Sequence, residues 1–182
     1  MKDNAKELLP VVDAEGNVIG QTTRGTAHNG IDKPLHPVVH LHVFNAEGHL
    51  FLQHRPVWKD IQPDRWDTAV GGHVDWGEDI PTALRREVRE EIGITLSESL
   101  EEVCLLTRYV FESARERELV NVFRLDIPPS SEGSGEVKPR PTEELDGGRF
   151  FSPEEIQQRI GTDFFTPNFE QEYQRLGALM KE

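Results

Sequence analysis

Short apolar runs separated by turn residues predict β-strands in the first part of the chain. Leu9–Asp13 and Val18–Thr22 flank an Ala-Glu-Gly-Asn turn, which predicts a hairpin. Val38–Phe44 and Leu50–Gln53 are joined by an Asn-Ala-Glu-Gly turn and predict two further strands. The next apolar run, Trp66–Val70, leads into a pair of glycines.

The spacing of apolar residues then changes from that of a strand to that of a helix. Leu84, Val88 and Ile92 form an apolar stripe at helical spacing, among residues that are strong helix formers. Pro81 suits a first helical turn, and Gly93 suits a left-handed C-cap. The pattern therefore predicts a helix from Pro81 to Ile92.

The rest of the chain predicts a mixture of strands and helices. Val103–Phe111 and Leu119–Leu125 are typical of paired strands around a charged turn, Glu112–Glu118. After them we predict a mobile loop rich in proline, serine and glycine, a short strand and two helices: 128–142, Gly148–Phe151, Pro153–Arg159 and Pro167–Met180. With 182 residues, the chain is expected to form a single α/β (α+β) domain, 1–182.

Composition narrows the classes of function. A hydrophobic content of 36% with no long apolar stretch predicts a soluble protein without a membrane span or leader peptide. A single cysteine, Cys104, fits a reducing compartment, so we expect a cytoplasmic protein. The formal charge of −13 disfavours nucleic acid as a partner. It would also repel a phosphorylated substrate unless metal ions or a local basic cluster reversed the field.

Three carboxylates lie together beside the apolar stripe of the predicted helix. Glu87, Glu90 and Glu91 are spaced i, i+3 and i+4, so they repel one another by about 0.2–0.5 kcal/mol for each pair. A bound cation would convert that repulsion into binding, and oxygen-only ligands suit Mg²⁺ or Mn²⁺. The alternative is a solvated helix face on which Arg86 pairs with Glu90.

The segment around this helix, Gly72–Ile94, resembles the Nudix box. It fills all nine specified positions of G-x5-E-x7-R-E-U-x-E-E-x-G-U, where U is aliphatic. The resemblance implies a metal-binding loop–helix–loop over 72–94, in an α/β/α sandwich around a mixed sheet. It further implies that Gly72, Glu87, Glu90 and Glu91 form the metal site, and that Arg86 braces Glu78.

The upstream half resembles the isopentenyl diphosphate isomerase-like branch of the Nudix proteins. The sequence segments that carry this resemblance are RGTAH at 24–28, LH at 35–36, VFNAEGHLFLQHRP at 43–56 and W-DTAV-GGH at 66–73. The resemblance implies a second metal site at His28, His36 and His73, although one residue more than expected separates the first two, so this site could be rebuilt or lost. It also implies three basic residues that contact the diphosphate of a substrate: Arg24, Arg55 and Lys59.

One position departs from the isomerase pattern. The isomerase has its catalytic cysteine immediately before the Gly-His pair, where this chain has Gly71. Isomerisation requires a proton donor and acceptor across an allylic unit, and glycine provides neither. Hydrolysis of a phosphoanhydride requires metal-binding carboxylates and a positioned water, and the box supplies the carboxylates.

We therefore expect a Mg²⁺- or Mn²⁺-dependent hydrolase that cleaves a nucleoside diphosphate linked to another group. The catalytic base is left open among Glu90, Glu91 and a glutamate of a later loop, Glu144. The alternatives are an isomerase-type prenyl diphosphate enzyme and a non-catalytic nucleotide sensor. The diphosphate substrate is not specified by the sequence, and homodimerisation is left open.

Two further histidines share one face of a predicted strand. His40 and His42 are spaced i, i+2 in Val38–Phe44, which would suit a zinc pair. No neighbouring residue in the sequence completes a set of zinc ligands. We therefore expect both to be structural.

Overall fold

The computed structural model describes residues 5–58, 62–129 and 147–177. The strands in these residues are β1 Leu8–Val12, β2 Val18–Thr23, β3 Leu35–Phe44, β4 Leu50–His54, β5 Trp66–Thr68, β6 Val70–His73, β7 Val103–Glu112, β8 Arg117–Asp126 and β9 Gly148–Phe151. The helices are α1 Arg24–Ala27, α2 Ile80–Ile92, α3 Pro153–Arg159 and α4 Pro167–Arg175.

Strand β3 is the centre of a seven-stranded mixed sheet. The main order is β5-β4-β3-β8-β7, while β6 pairs with β3 and β9 pairs with β4. The β3–β8 pair is parallel over the full length of both strands, and the other pairs are antiparallel. Strands β1 and β2 form a separate hairpin.

Helices cover both faces of the sheet. On one face, Val39, Leu41 and Val43 of β3 belong to the same buried cluster as the apolar stripe of α2. On the other face, Val38 belongs to a cluster that contains residues of α3 and α4. Because alternate residues of a strand point to opposite faces, β3 contributes to both layers of the core. The expected sandwich of helices around a mixed sheet is confirmed.

The helices predicted from local signals agree closely with the structure. Helix α3 has the predicted bounds, and Ser152 caps it through a reciprocal capping box with Glu155. Helix α2 ends where predicted, with Gly93 at a φ of 70°. Helix α4 ends at Arg175, and 178–182 lie outside the described residues. No helix in the described part of the chain has the length and apolarity needed to span a membrane.

Two boundaries set by pairing differ from the prediction. The predicted run Trp66–Val70 is divided between β5 and β6, and the glycine pair lies within β6, where Gly71 pairs with His40 and Gly72 pairs with Val39 of β3. The predicted turn Glu112–Glu118 is too long, since β7 continues to Glu112 and β8 begins at Arg117. Pairing with β3 satisfies the backbone groups of the glycine pair, and pairing of Glu112 with Arg117 satisfies those at the ends of β7 and β8. The predicted loop 128–142 lies almost entirely outside the described residues.

Candidate active site

Helix α2 presents one buried face and one face of carboxylates. Leu84 and Val88 are fully buried and Ile92 is 1% exposed, so the predicted apolar stripe anchors the helix to the sheet. Asp79 caps the N-terminus by accepting a hydrogen bond from the backbone N–H of Thr82. Because the helix is anchored to the sheet, the glutamates on its other face are held in fixed positions.

Arg86 joins the loop before the helix to the helix itself. Its Nε donates to Oε2 of Glu78 at 2.8 Å and its Nη2 donates to Oε1 of Glu78 at 2.8 Å, which is a bidentate pair. Nη2 also donates to the backbone carbonyl of His73 at 3.0 Å, and Nη1 donates to Oε1 of Glu87 at 2.7 Å. One guanidinium therefore holds the loop, the end of β6 and a carboxylate of the helix in a fixed relation.

The backbone of β6 lies directly against the carboxylates. A Cβ at Gly72 would overlap the carboxyl group of Glu87, so a side chain at this position would displace that carboxylate. The backbone N–H of Gly71 donates to Oε2 of Glu91 at 2.9 Å. The structure thus brings together Gly72, Glu87 and Glu91, while Glu90 lies at the more exposed edge of the cluster, 3.5 Å from Nη1 of Arg86.

Crowding of the carboxylates changes their acidity. Burial raises the pKa of Glu87, against the opposing charge and hydrogen bond of Arg86. Burial and the neighbouring charge of Glu87 raise the pKa of Glu91 well above its usual range. A divalent cation would reverse both effects, because it attracts the ionised form of each carboxylate. The carboxylate oxygens, and the close approach of the Gly72 backbone to Glu87, therefore fit a hard divalent cation.

A cleft of about 300 Å³ opens beside this cluster. Its walls include Glu91, Gly71 and Gly72 at one side, with His40 and Arg55 also exposed to it. It extends past the end of β6 to a second group of polar residues.

The second group is a cluster of three histidines and two glutamates. His28, His36 and His73 each offer a ring nitrogen, and these nitrogens lie within 4.8 Å of one another. Glu116 and Glu118 of the β7–β8 hairpin lie within the same limit of His36. Oε2 of Glu116 also accepts a hydrogen bond from Nδ1 of His28 at 2.5 Å.

The protonation of these side chains suits a metal ligand set. Nδ1 of His36 donates to the carbonyl of Pro34 at 3.0 Å, which leaves the buried Nε2 without a hydrogen-bond partner. Burial lowers the pKa of His36 and lowers that of His73 still further, so both rings are neutral, as metal ligands must be. Burial, with the charge of Glu116, raises the pKa of Glu118 to about 7. An unpartnered nitrogen among crowded carboxylates fits a transition-metal cation.

Glu116 and Glu118 are not among the site residues predicted from the sequence, because the charged turn Glu112–Glu118 includes both. The direction of a side chain within a turn is not defined by the sequence pattern. The available signal was their i, i+2 spacing, which puts both on one face once β8 begins at Arg117. The partner strand β3 then aligns Glu118 with His36.

Comparisons with known proteins match this sequence to a family. The NUDIX domain pattern matches residues 34–172, which include the whole of β3, the box and α3. The chain belongs to the NUDIX domain family. The expected resemblance to the isomerase-like branch is confirmed as well. An isopentenyl-diphosphate Δ-isomerase of Clavibacter sepedonicus is 33% identical over 153 residues, covering 82% of this chain and 76% of the isomerase.

Two other similar proteins are not named as isomerases. A Streptomyces coelicolor protein described as an uncharacterized Nudix hydrolase is 29% identical over 180 residues, covering 98% of this chain and 92% of its own. The crystal structure of DR0079 from Deinococcus radiodurans superimposes with a TM-score of 0.69 at 24% identity, covering 93% of this chain and 98% of that one. The structural likeness supports the Nudix fold.

The other residues predicted to belong to the site of this Nudix chain do not lie together in the structure. Arg55 lines the main cleft, whereas Arg24 lines an adjoining cavity that shares His28 with the cleft. Nη1 of Arg24 donates to Glu7 at 3.3 Å. Lys59 and Glu144 lie outside the described residues.

His40 and His42 converge on one carboxylate that the sequence did not indicate. Nδ1 of His40 lies 2.8 Å from Oε1 of Glu172, and Nε2 of His42 lies 2.6 Å from Oε2. The hydroxyl of Tyr109 donates to Oε1 at 2.5 Å. The side chain of Glu172 is 1% exposed, so these three donors compensate a buried charge. The clusters able to hold a metal in the described residues do not include these two histidines.

Proposed function

We propose that this Nudix chain is a hydrolase dependent on Mg²⁺ or Mn²⁺ that cleaves the phosphoanhydride bond of a nucleoside diphosphate linked to another group. The observation that carries the proposal is the contact between β6 and the box. Backbone groups of Gly71 and Gly72 lie against Glu91 and Glu87 at the edge of the cleft. A diphosphate in the cleft would therefore meet the proposed metal ligands directly.

The residues of the box have distinct proposed roles. Glu87, Glu90 and Glu91, with the backbone of Gly72, hold the cation. When bound, the cation neutralises charge on phosphoryl oxygens and activates water. Arg86 and Glu78 are positioning residues, because they fix the loop, the end of β6 and Glu87 relative to one another.

The groups around the cleft supply the remaining functions. Arg55 lies in the cleft wall and would contact the diphosphate as a cation. Arg24 lines the adjoining cavity and would contact the group that is linked to the nucleoside diphosphate. Lys59 is proposed to contact the diphosphate itself. The base is proposed to be Glu90, Glu91 or Glu144. The cluster of His28, His36, His73, Glu116 and Glu118 would hold a second cation on the far side of the cleft.

The isomerase relatives make allylic isomerisation the second candidate. The residue at position 71 of the cleft, Gly71, argues against isomerisation. A Cβ at this position would lie 3.4 Å from Cδ2 and 3.5 Å from Nε2 of His40. These are ordinary van der Waals distances, so isomerisation is disfavoured by the missing thiol and not by a lack of space for one. Without that thiol, the cleft lacks the group that protonates or deprotonates carbon in the isomerase pattern.

A panel of diphosphates tests the proposal. The protein is incubated with Mg²⁺ or Mn²⁺ and nucleoside diphosphate sugars, dinucleotides, nucleoside triphosphates and isopentenyl diphosphate, and products are followed by phosphorus NMR. We expect cleavage of at least one nucleoside diphosphate derivative, which stops when the metal is chelated. Turnover of isopentenyl diphosphate without any cleavage would identify an isomerase instead. Tight binding of a nucleotide without turnover would identify a sensor.

A further inference from the structure

The pair of histidines on β3 is asymmetric with respect to the cleft. Both rings bond to the same buried carboxylate of Glu172, through Nδ1 of His40 and Nε2 of His42. The side chain of His40 is 21% exposed and lines the cleft, whereas that of His42 is fully buried. Glu172 therefore orients two rings, of which only His40 reaches the space proposed for substrate.

The orientation of the His40 ring determines which nitrogen faces the cleft. Because Nδ1 is used by Glu172, Nε2 is the nitrogen beside Gly71, which itself lines the cleft. The neighbouring backbone N–H of Gly71 is directed at Glu91. Nε2 of His40 and the metal-binding carboxylates of the box are thus brought to the same short stretch of β6.

The charge of the ring favours donation from Nε2. Burial alone would lower the pKa of His40, but the charge of Glu172 and its hydrogen bond outweigh burial and raise the pKa to about 9. The ring is therefore protonated at neutral pH, and Nε2 carries a proton. Most of the ionisable groups around it are carboxylates, including Asp67, Glu91 and Glu118. An imidazolium in that setting is a cationic donor available to an anionic ligand.

We propose that His40, positioned by Glu172, contacts the substrate and donates a hydrogen bond from Nε2 to a phosphoryl oxygen of the diphosphate. This inference rests on the proposed function, because it takes a diphosphate as the occupant of the cleft. The contact would stabilise negative charge that increases on the phosphoryl group during cleavage, which a preorganised donor does without reorientation. Glu172 is then a positioning residue, and it fixes the ring without touching the substrate.

Asparagine and glutamine each mimic one ring nitrogen of histidine, which gives a matched pair of variants. H40N keeps a donor at the place of Nδ1, and so keeps the bond to Glu172, but it removes Nε2 from the cleft. H42Q keeps a donor at the place of Nε2, which is the nitrogen that His42 uses on Glu172. Both variants preserve the buried hydrogen bond, and only H40N alters the cleft.

The kinetic test uses saturating Mg²⁺ and the diphosphate derivative that the wild-type protein cleaves. We expect H40N to lower kcat/KM by about 100-fold, with most of the loss in kcat. Because H40N also removes the positive charge beside Glu172, its melting temperature should fall, so the kinetics are measured well below the melting temperature of the variant. H42Q should remain within about threefold of the wild-type kcat/KM. H40Q, whose amide nitrogen occupies the place of Nε2, should recover part of the loss. Equal activity of H40N and H42Q would overturn the inference.

A binding test separates this inference from the proposed function. Methylenediphosphonate, which cannot be hydrolysed at its bridging carbon, is titrated with Mg²⁺ into ¹⁵N-histidine-labelled protein, and the ring nitrogens are followed by NMR. We expect the Nε2 resonance of His40 to shift and that of His42 to stay in place. A shift without hydrolysis of any diphosphate would reject the hydrolase and support the contact. Hydrolysis without a shift or an H40N effect would reject the contact and support the hydrolase. Absence of both would overturn both.

Discussion

The carboxylates of α2 are constrained by individual residues that each tolerate little change. Gly72 is required because any Cβ there would overlap Glu87. Arg86 is required because its planar fork serves Glu78 while another nitrogen serves Glu87, a geometry that lysine could not reproduce. Glu91 is held by the N–H of Gly71 in a desolvated position. These contacts keep three like charges close together before any cation binds.

Removing one of these charges should have opposite effects on stability and activity. E91Q deletes a desolvated charge that Glu87 repels, so the metal-free protein should melt about 2–4 °C higher, which corresponds to about 1 kcal/mol. Turnover should fall about 100-fold or more, because the cation loses a ligand. Differential scanning calorimetry with and without Mg²⁺ checks the first effect, and steady-state kinetics checks the second. E90Q should also lower turnover while the protein stays folded.

The matched control is Glu101→Gln, an exposed glutamate outside the cleft. It should leave turnover and the Mg²⁺-dependent rise in melting temperature unchanged. If E91Q retained full turnover with the same Mg²⁺ dependence, the assignment of Glu91 as a metal ligand would be wrong.

At the scale of elements, local signals and long-range pairings differ in how far the sequence reveals them. Helix α2 could be predicted because its apolar stripe and Gly93 are local features. The pairing of β6 with β3 could not be predicted, and neither could the position of Glu118 beside His36. Both depend on which strands become neighbours in the sheet. Glu172 is the clearest case. It lies on a helix that the sequence predicts, but its partners His40 and His42 lie 132 and 130 positions away.

The link between β3 and α4 predicts a pH-dependent contribution to stability. The pKa of Glu172 is depressed by the charge and hydrogen bonds of His40 and His42, which outweigh its burial, so its contribution is lost as pH falls below the ordinary value of 4.5. The pKa of His40 is raised, so its contribution is complete below the ordinary value of 6.5 and is lost as pH rises through about 9. The interaction should therefore stabilise the fold most between those two ordinary values.

The variant E172Q tests this window. It should lower the free energy of unfolding by about 3–5 kcal/mol near pH 6, because it leaves buried donors without their charged partner. The difference from the wild-type protein should shrink as pH rises towards 9, measured by urea denaturation at several pH values. Glu170→Gln on the same helix is the control and should show no such window. A pH-independent difference for E172Q would mean that Glu172 acts through packing alone.

At the scale of the whole molecule, the topology joins distant sequence segments around one cleft. The parallel pairing of β3 with β8 brings His36 beside Glu118, and the antiparallel pairing of β3 with β6 brings His40 beside Gly71. Helix α2 closes one side with its carboxylates, and α4 provides Glu172 behind β3. The mixed fold and the box could be predicted from sequence because both rest on strong patterns. The shape of the cleft could not, because it arises from these crossings.

In the proposed reaction, this cleft directs water at phosphorus rather than a proton at carbon. One pair of isotope measurements tests it most directly, with Mg²⁺ present throughout. A nucleoside diphosphate derivative is incubated in ¹⁸O-labelled water, and isopentenyl diphosphate is incubated in deuterated water under the same conditions. We expect ¹⁸O in a phosphate-containing product of the first reaction, detected by mass spectrometry, and no deuterium in the recovered isopentenyl compound. Deuterium incorporation at a catalytic rate, with no ¹⁸O in phosphate, would contradict the assignment as a hydrolase.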